Sequence, residues 1–155
     1  MTTCKLRQRI AIGLLALIWS LAQGTFTTNS FGAGAVKFKA SVAFDDGHCG
    51  PVAIIPFLYA DLPNGTSELE AKQLEKRFRP RPGIVLTIAG RRYALHRFPK
   101  RDHVSYLRMG WGLRAISVSK TVGQRELGKR ATMMFTTISG KKISLQAHVE
   151  GAGCG

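Results

Sequence analysis

Acidic residues are scarce in this chain: nine Asp and Glu stand against 23 Lys and Arg, for a formal charge of +14. Four of the nine (Asp61, Glu68, Glu70, Glu75) fall in or beside one charged segment. Little is left for the paired-carboxylate site of a glycosidase. The three cysteines, Cys4, Cys49 and Cys154, include no Cys-x-x-Cys spacing, so thiol redox and zinc motifs are not indicated. No apolar run approaches the ~20 residues of a membrane-spanning helix. There is no Gly-x-Ser-x-Gly nucleophile elbow, no aromatic RNA-binding signature, no heptad pattern and no internal repeat.

What is present begins at the N-terminus. Lys5, Arg7 and Arg9 precede a 13-residue apolar run, Ile10 to Ala22, interrupted only by Gly13 and Ser20. A charged region followed by a short apolar one is the layout of a secretory signal. Small residues allow cleavage after Ala22 or Gly24, with Ala35 as the alternative. Residues 1–24 therefore read as a Sec-type signal peptide, 25–35 as a flexible lead-in, and 36–155 as a single domain, periplasmic or secreted. The competing readings are an uncleaved anchor and a buried helix. The second is disfavoured by three cations at its N-terminal end, where the helix dipole repels them. There is no twin-arginine pair in this segment. Cys4 precedes the apolar run, so it is not placed as a lipoprotein cysteine.

Removing the signal also removes Cys4. Cys49 and Cys154 then remain, and in an oxidising compartment they are expected to form a disulfide. It would close a loop spanning most of the domain, worth at most ~4–5 kcal/mol by chain entropy. The mature chain keeps 20 Lys and Arg against nine acids. That excess favours anionic partners.

Along the domain, Val36, Phe38, Ala40, Val42 and Phe44 alternate with Lys37, Lys39, Ser41 and Ala43, the period of a half-buried strand. Asp45-Asp46-Gly47 is a turn. Val52 to Tyr59 is apolar on both sides, but Pro56 predicts a bend or an edge. Ser67 to Arg79 is the one expected helix. Ser67 and Glu70 make a capping box, Ala71, Leu74 and Phe78 share a face, and Glu68–Lys72 and Glu75–Arg79 are i,i+4 pairs. Three hairpins should follow: Ile84–Ala89 with Tyr93–Phe98, Val104–Met109 with Leu113–Ser119 around Gly110-Trp111-Gly112, and Arg130–Ile138 with Lys142–Glu150. The expected fold is mainly β, an antiparallel sandwich or small barrel of about seven or eight strands, with one α-helix near 67–79.

Several stretches invite chemistry. Gly123 to Lys129 has Walker A spacing, but Arg130 stands where a Mg²⁺-holding hydroxyl belongs, and a strand rather than a helix should follow. Asp45-Asp46-Gly47-His48-Cys49 carries ligand-type residues but crowds them into a tight turn. No metal site and no cofactor is expected. His96 and His103 flank Pro99 to Asp102, and Asp102 could orient either for acid–base work. Asn64-Gly65-Thr66 is a glycosylation sequon in a loop.

The basic stretch is the strongest functional signal. Twelve Lys and Arg lie between Lys72 and Arg114, interleaved with Phe78, Tyr93, Phe98, Tyr106 and Trp111. Cations beside rings suit a polyanion. Lys76, Arg77, Arg79, Arg81, Arg91, Arg92, Arg97, Lys100, Arg101 and Arg108 are the expected anion-binding residues. The expectation is a non-enzymatic exported protein that binds an anionic envelope component or an acidic partner protein, with nucleic acid less favoured by the compartment. The alternatives are a small secreted hydrolase using His96 or His103 with Asp102, and an assembly subunit.

Overall fold

A computed structural model describes residues 36–48 and 50–152. Among them the mainly-β expectation holds: nine strands form one curled sheet, a half-barrel, accompanied by two helices. Strand β1 (Lys37–Asp45) keeps its alternation, with Val42 and Phe44 buried on the inner face. It pairs antiparallel along its whole length with β2 (Ala53–Asp61), from Lys37↔Asp61 to Asp45↔Ala53. The far edge of β2 is shared. Residues Leu58 to Asp61 pair with β6 (Arg108–Trp111), and Ala53 and Ile54 with β7 (Ile116–Ser117). Pro56, which has no N–H to give, falls in the stretch between these partners. That is how a proline sits in an interior strand.

Strands β3 (Ile84–Ile88), β4 (Arg91–Leu95), β5 (His103–Val104), β8 (Arg130–Thr136) and β9 (Lys142–Gly151) complete the order β4-β3-β8-β9-β1-β2-β6-β5. Every pairing is antiparallel except β1 with β9. Beyond β4 and β6 the chain is stitched across: Phe98 N–H donates to Gly112 O and Arg114 N–H to His96 O, both at 2.8 Å. The bridge Arg97↔Leu113 lies between them.

The first helix, α1 (Glu68–Phe78), has the cap expected of it. Ser67 Oγ accepts from Glu70 N–H, and Glu70 Oε2 accepts from Ser67 N–H at 2.8 Å. Its apolar face buries Ala71 and brings Phe78 edge-on to Phe38 at 5.8 Å. Phe38 also stacks on Trp111 (5.9 Å) and meets Phe135 (5.6 Å). One ring thus joins helix, β1, β6 and β8.

The structure corrects the sequence reading in three places. Gly110 and Trp111 are strand residues of β6, so the turn of that hairpin lies at Ser105 to Leu107, with Val104↔Met109 as the closing pair. Only Ile116–Ser117 of the expected partner strand forms, and it pairs with β2 instead. Between β3 and β4 the turn is the two residues Ala89-Gly90, both at positive φ, with Ile88↔Arg91 closing it. This is the twist-matched two-residue hairpin. A second helix, α2 (Lys120–Glu126), forms where the sequence led to one helix only, with Ser119 as its N-cap. Gly123 lies in the middle of α2, because a Cβ there would come within 1.9 Å of the Phe44 ring. The Walker-like glycine is thus a helix–strand contact, and β8 follows it as the sequence indicates.

Cys49 and Cys154, the expected disulfide pair, lie outside the described residues, as do the signal and the lead-in. No helix among the described residues is long and apolar enough to cross a membrane.

Candidate anion-binding site

The site is built on the stitch between the chain after β4 and the chain after β6. Phe98 to Arg101 is a turn closed by Arg101 N–H donating to Phe98 O at 3.0 Å. Pro99 at its second position supplies the φ such a turn needs. Beneath it lies a buried charge network. Glu75, 6 % exposed in its side chain, accepts two hydrogen bonds from Arg79, at 2.7 and 2.8 Å. It takes a third, long one from Trp111 Nε1 at 3.4 Å. Arg97 donates to Asp102 Oδ2 at 2.6 Å and to Pro80 O at 3.0 Å. Arg79 Nε lies 3.9 Å from the same Asp102 oxygen. Asp102 Oδ1 and Arg97 Nε are buried with no partner.

The two carboxyls respond differently to this setting. Burial pushes Glu75 up, but the bonds and charge of Arg79, the Trp111 donor and the Arg97 charge outweigh it and hold Glu75 below its ordinary 4.5. For Asp102 burial wins. Its pKa is raised above 3.8, with Arg97 and Arg79 opposing the shift and Glu75 adding to it.

This network pins the 97–102 segment, and Arg101 is turned outward from it. Its guanidinium lies 4.6 Å from the Phe98 ring centroid, and that of Arg114 lies 4.9 Å from the same centroid. Such contacts are cation–π interactions. Gly112 makes the approach possible, since a Cβ there would stand 2.6 Å from Arg101 Cβ and 3.1 Å from Arg101 O. Lys100 and His96 are exposed beside them. Among the described residues, no carboxylate pairs with Lys100, Arg101 or Arg114. Two guanidiniums on one ring, with no carboxylate on either among the described residues, leave this seam with an excess of positive charge.

The ten cations expected from sequence do not form one face. Arg79 and Arg97 are spent on Glu75 and Asp102. Arg108 pairs with Asp61 at 3.1 Å and lies over the Tyr59 ring at 4.7 Å. Arg81 donates to Ile138 O at 2.7 Å. Lys76 and Arg77 are on the last turn of α1, Arg77 lying 5.5 Å from the Phe78 ring. Arg91 and Arg92 open β4 at the hairpin, while Lys100 and Arg101 lie beyond its other end, roughly 20 Å away along an extended strand. Lys100 and Arg101 therefore belong to the seam. Arg114, not singled out from sequence, joins them, as does the ring of Phe98. No local signal pairs Arg101 with Arg114, since the stitch that unites them is tertiary.

His96 and His103 are exposed, β4 does not pair with β5, and the carboxylate of Asp102 is directed to Arg97. His48 Nδ1 bonds the Asp46 carboxylate. Among the described residues no group of three or more His, Cys, Asp and Glu is arranged to hold a metal ion. Comparison with protein-family models, curated proteins and solved structures finds no match.

Proposed function

We infer that the chain is an exported, non-enzymatic binding protein that holds an oxyanion of an anionic envelope component at the Phe98 seam. The observation that carries this is the approach of Arg101 and Arg114 to one ring with, among the described residues, no carboxylate on either. The buried Arg97–Asp102 pair supports it by fixing the turn that presents Arg101. Export rests on the signal-like start of the chain. The disulfide between Cys49 and Cys154 belongs to the same reading. It is supported by the flanks of the two cysteines: Phe44 pairs with Gly151, and Ala152 N–H donates to Phe44 O at 2.9 Å.

The test is co-sedimentation of the mature chain, residues 25–155, with vesicles carrying phosphatidylglycerol and with neutral phosphatidylcholine vesicles. Binding is expected on the anionic vesicles only, and is expected to be lost between about 50 mM and about 0.5 M salt. Replacing both Arg101 and Arg114 with Ser should weaken it roughly tenfold or more, whereas Lys129→Ser should leave it within about twofold. Equal binding by the double variant, or binding indifferent to salt, would remove the seam from the account. An acidic protein captured in place of the vesicles, with the same loss in the double variant, would reassign the ligand and keep the site.

A further inference from the structure

Strands β1 and β9 are paired at one end and separate at the other. Their ladder consists of Val42↔Val149, Ala43↔Glu150 and Phe44↔Gly151. Yet β1 starts at Lys37 and β9 at Lys142. The two strands run parallel, so continuing the register would set residues 37–41 against 144–148. They do not pair. The opposite edges of both strands are filled, by β2 and by β8. A cleft of about 340 Å³ lies at the fork, with Phe38, Lys39 and Ala40 on one wall and Ser144, Leu145 and Gln146 on the other.

Burial divides at the same point. Val42, Phe44 and Val149 are buried where the strands meet. Phe38, Ala40, Ile143, Leu145 and Ala147, which point to the same inner face, are only half-buried where they part. Two facing edges without strand partners, above an apolar floor left half-covered, are what a sheet shows when one strand is missing from it. The rim adds a sign. Lys37 and Lys142 are exposed at the open end, and among the described residues neither pairs with a carboxylate.

We propose that this slot takes an extended segment of an acidic partner polypeptide as an added strand between β1 and β9. Its backbone continues both ladders. Its inward side chains are apolar and cover Phe38, Ala40 and Leu145. Its outward side chains are acidic and meet Lys37 and Lys142. The slot is separate from the Phe98 seam and goes beyond the function assigned to that seam.

The probe is a short peptide alternating valine and glutamate, added to the mature chain and followed by amide chemical shifts and hydrogen exchange. Amides within 37–41 and 144–148 should shift on binding and exchange at least tenfold more slowly. Lys37→Glu together with Lys142→Glu should weaken the peptide about tenfold, and a valine–lysine peptide should not compete. A peptide with proline at its centre cannot complete the ladder and should lose binding. Equal binding by the proline peptide overturns the inference, as does no binding by the parent peptide. Protection of the facing-edge amides in the free chain also overturns it, whether that protection is intrinsic or arises from a second copy seen by light scattering. The Arg101→Ser, Arg114→Ser variant should bind the peptide as the parent chain does, so the seam and the slot fail separately.

Discussion

Arg97 reaches along its own chain to set Nη2 2.6 Å from Oδ2 of Asp102, with both side chains largely buried, at 17 % and 11 % exposure. The pair closes the segment that carries Phe98 and Arg101 and sits over the Glu75–Arg79 pair. Two cations and two carboxylates thus neutralise one another beneath a surface that stays positive. The buried charges shape the seam without adding to its field.

Breaking that pair from one side should cost more than removing both members. Arg97→Ala leaves a buried carboxylate and is expected to destabilise the chain by about 2–3 kcal/mol. Arg97→Ala with Asp102→Ala should recover part of the loss, because the stranded charge goes too. Urea unfolding of the two single variants and the double measures the coupling. A double variant as unstable as the sum of the singles would mean that the pair contributes nothing as a pair.

Asp102 and Glu75 should depart from their ordinary pKa values in opposite senses. Asp102 is raised, chiefly by burial. Its contribution is therefore fully present below the ordinary Asp value and is lost as pH rises through its folded pKa. Glu75 is lowered, because the Arg79, Trp111 and Arg97 interactions outweigh its burial. Its contribution is present above the ordinary Glu value and is lost as pH falls through its folded pKa. Carboxyl NMR titration is expected to place the Asp102 midpoint above 3.8 and the Glu75 midpoint below 4.5. Shifts in the same direction would contradict the network as described.

Gly123→Ala separates helix propensity from packing. In an exposed helix the change would stabilise by about 1 kcal/mol. Here the added Cβ meets the buried Phe44 ring at 1.9 Å, so a loss of about 1–3 kcal/mol is expected. Phe44→Leu in the same chain should return part of that loss, since it removes the ring. A thermally stabilised Gly123→Ala protein would show that α2 does not press on β1.

Under the proposal of export, the intact mass of protein recovered outside the cytosol checks the N-terminus and the cysteines together. The mass should correspond to cleavage after Ala22 or Gly24. It should also be lower by two hydrogens before reduction than after it, and native alkylation should leave Cys49 and Cys154 unmodified. Two alkylated thiols in the unreduced protein would remove the bridge.

The elements legible in the sequence were those whose reasons are local. Val36 to Phe44 alternates because one face is buried, Ser67 and Glu70 cap a helix within four residues of each other, and β8 and β9 close over a short turn. What could not be read depended on distant partners. Gly110-Trp111-Gly112 has the look of a turn, but Trp111 pairs with Leu58 and stacks on Phe38. Gly123 looks like a helix breaker until Phe44 is brought against it. Glu75–Arg79 has the spacing of a surface ion pair, and Trp111 donates to its carboxylate from across the fold. The basic stretch was legible as charge, but its division into spent and available cations was not, because Asp61 and Asp102 choose their partners in three dimensions.

The parallel pairing of β1 with β9 also sets a timetable. Val42 to Phe44 are made roughly a hundred residues ahead of their partners Val149 to Gly151. At roughly 5–20 residues per second, several seconds separate them during synthesis. Through that interval β1 has β2 on one side and no neighbour on the other, and the two groups of strands on either side of this joint remain unconnected through it. The curled sheet can be joined across β1 only when β9 arrives, a non-local closure of the kind that folds slowly.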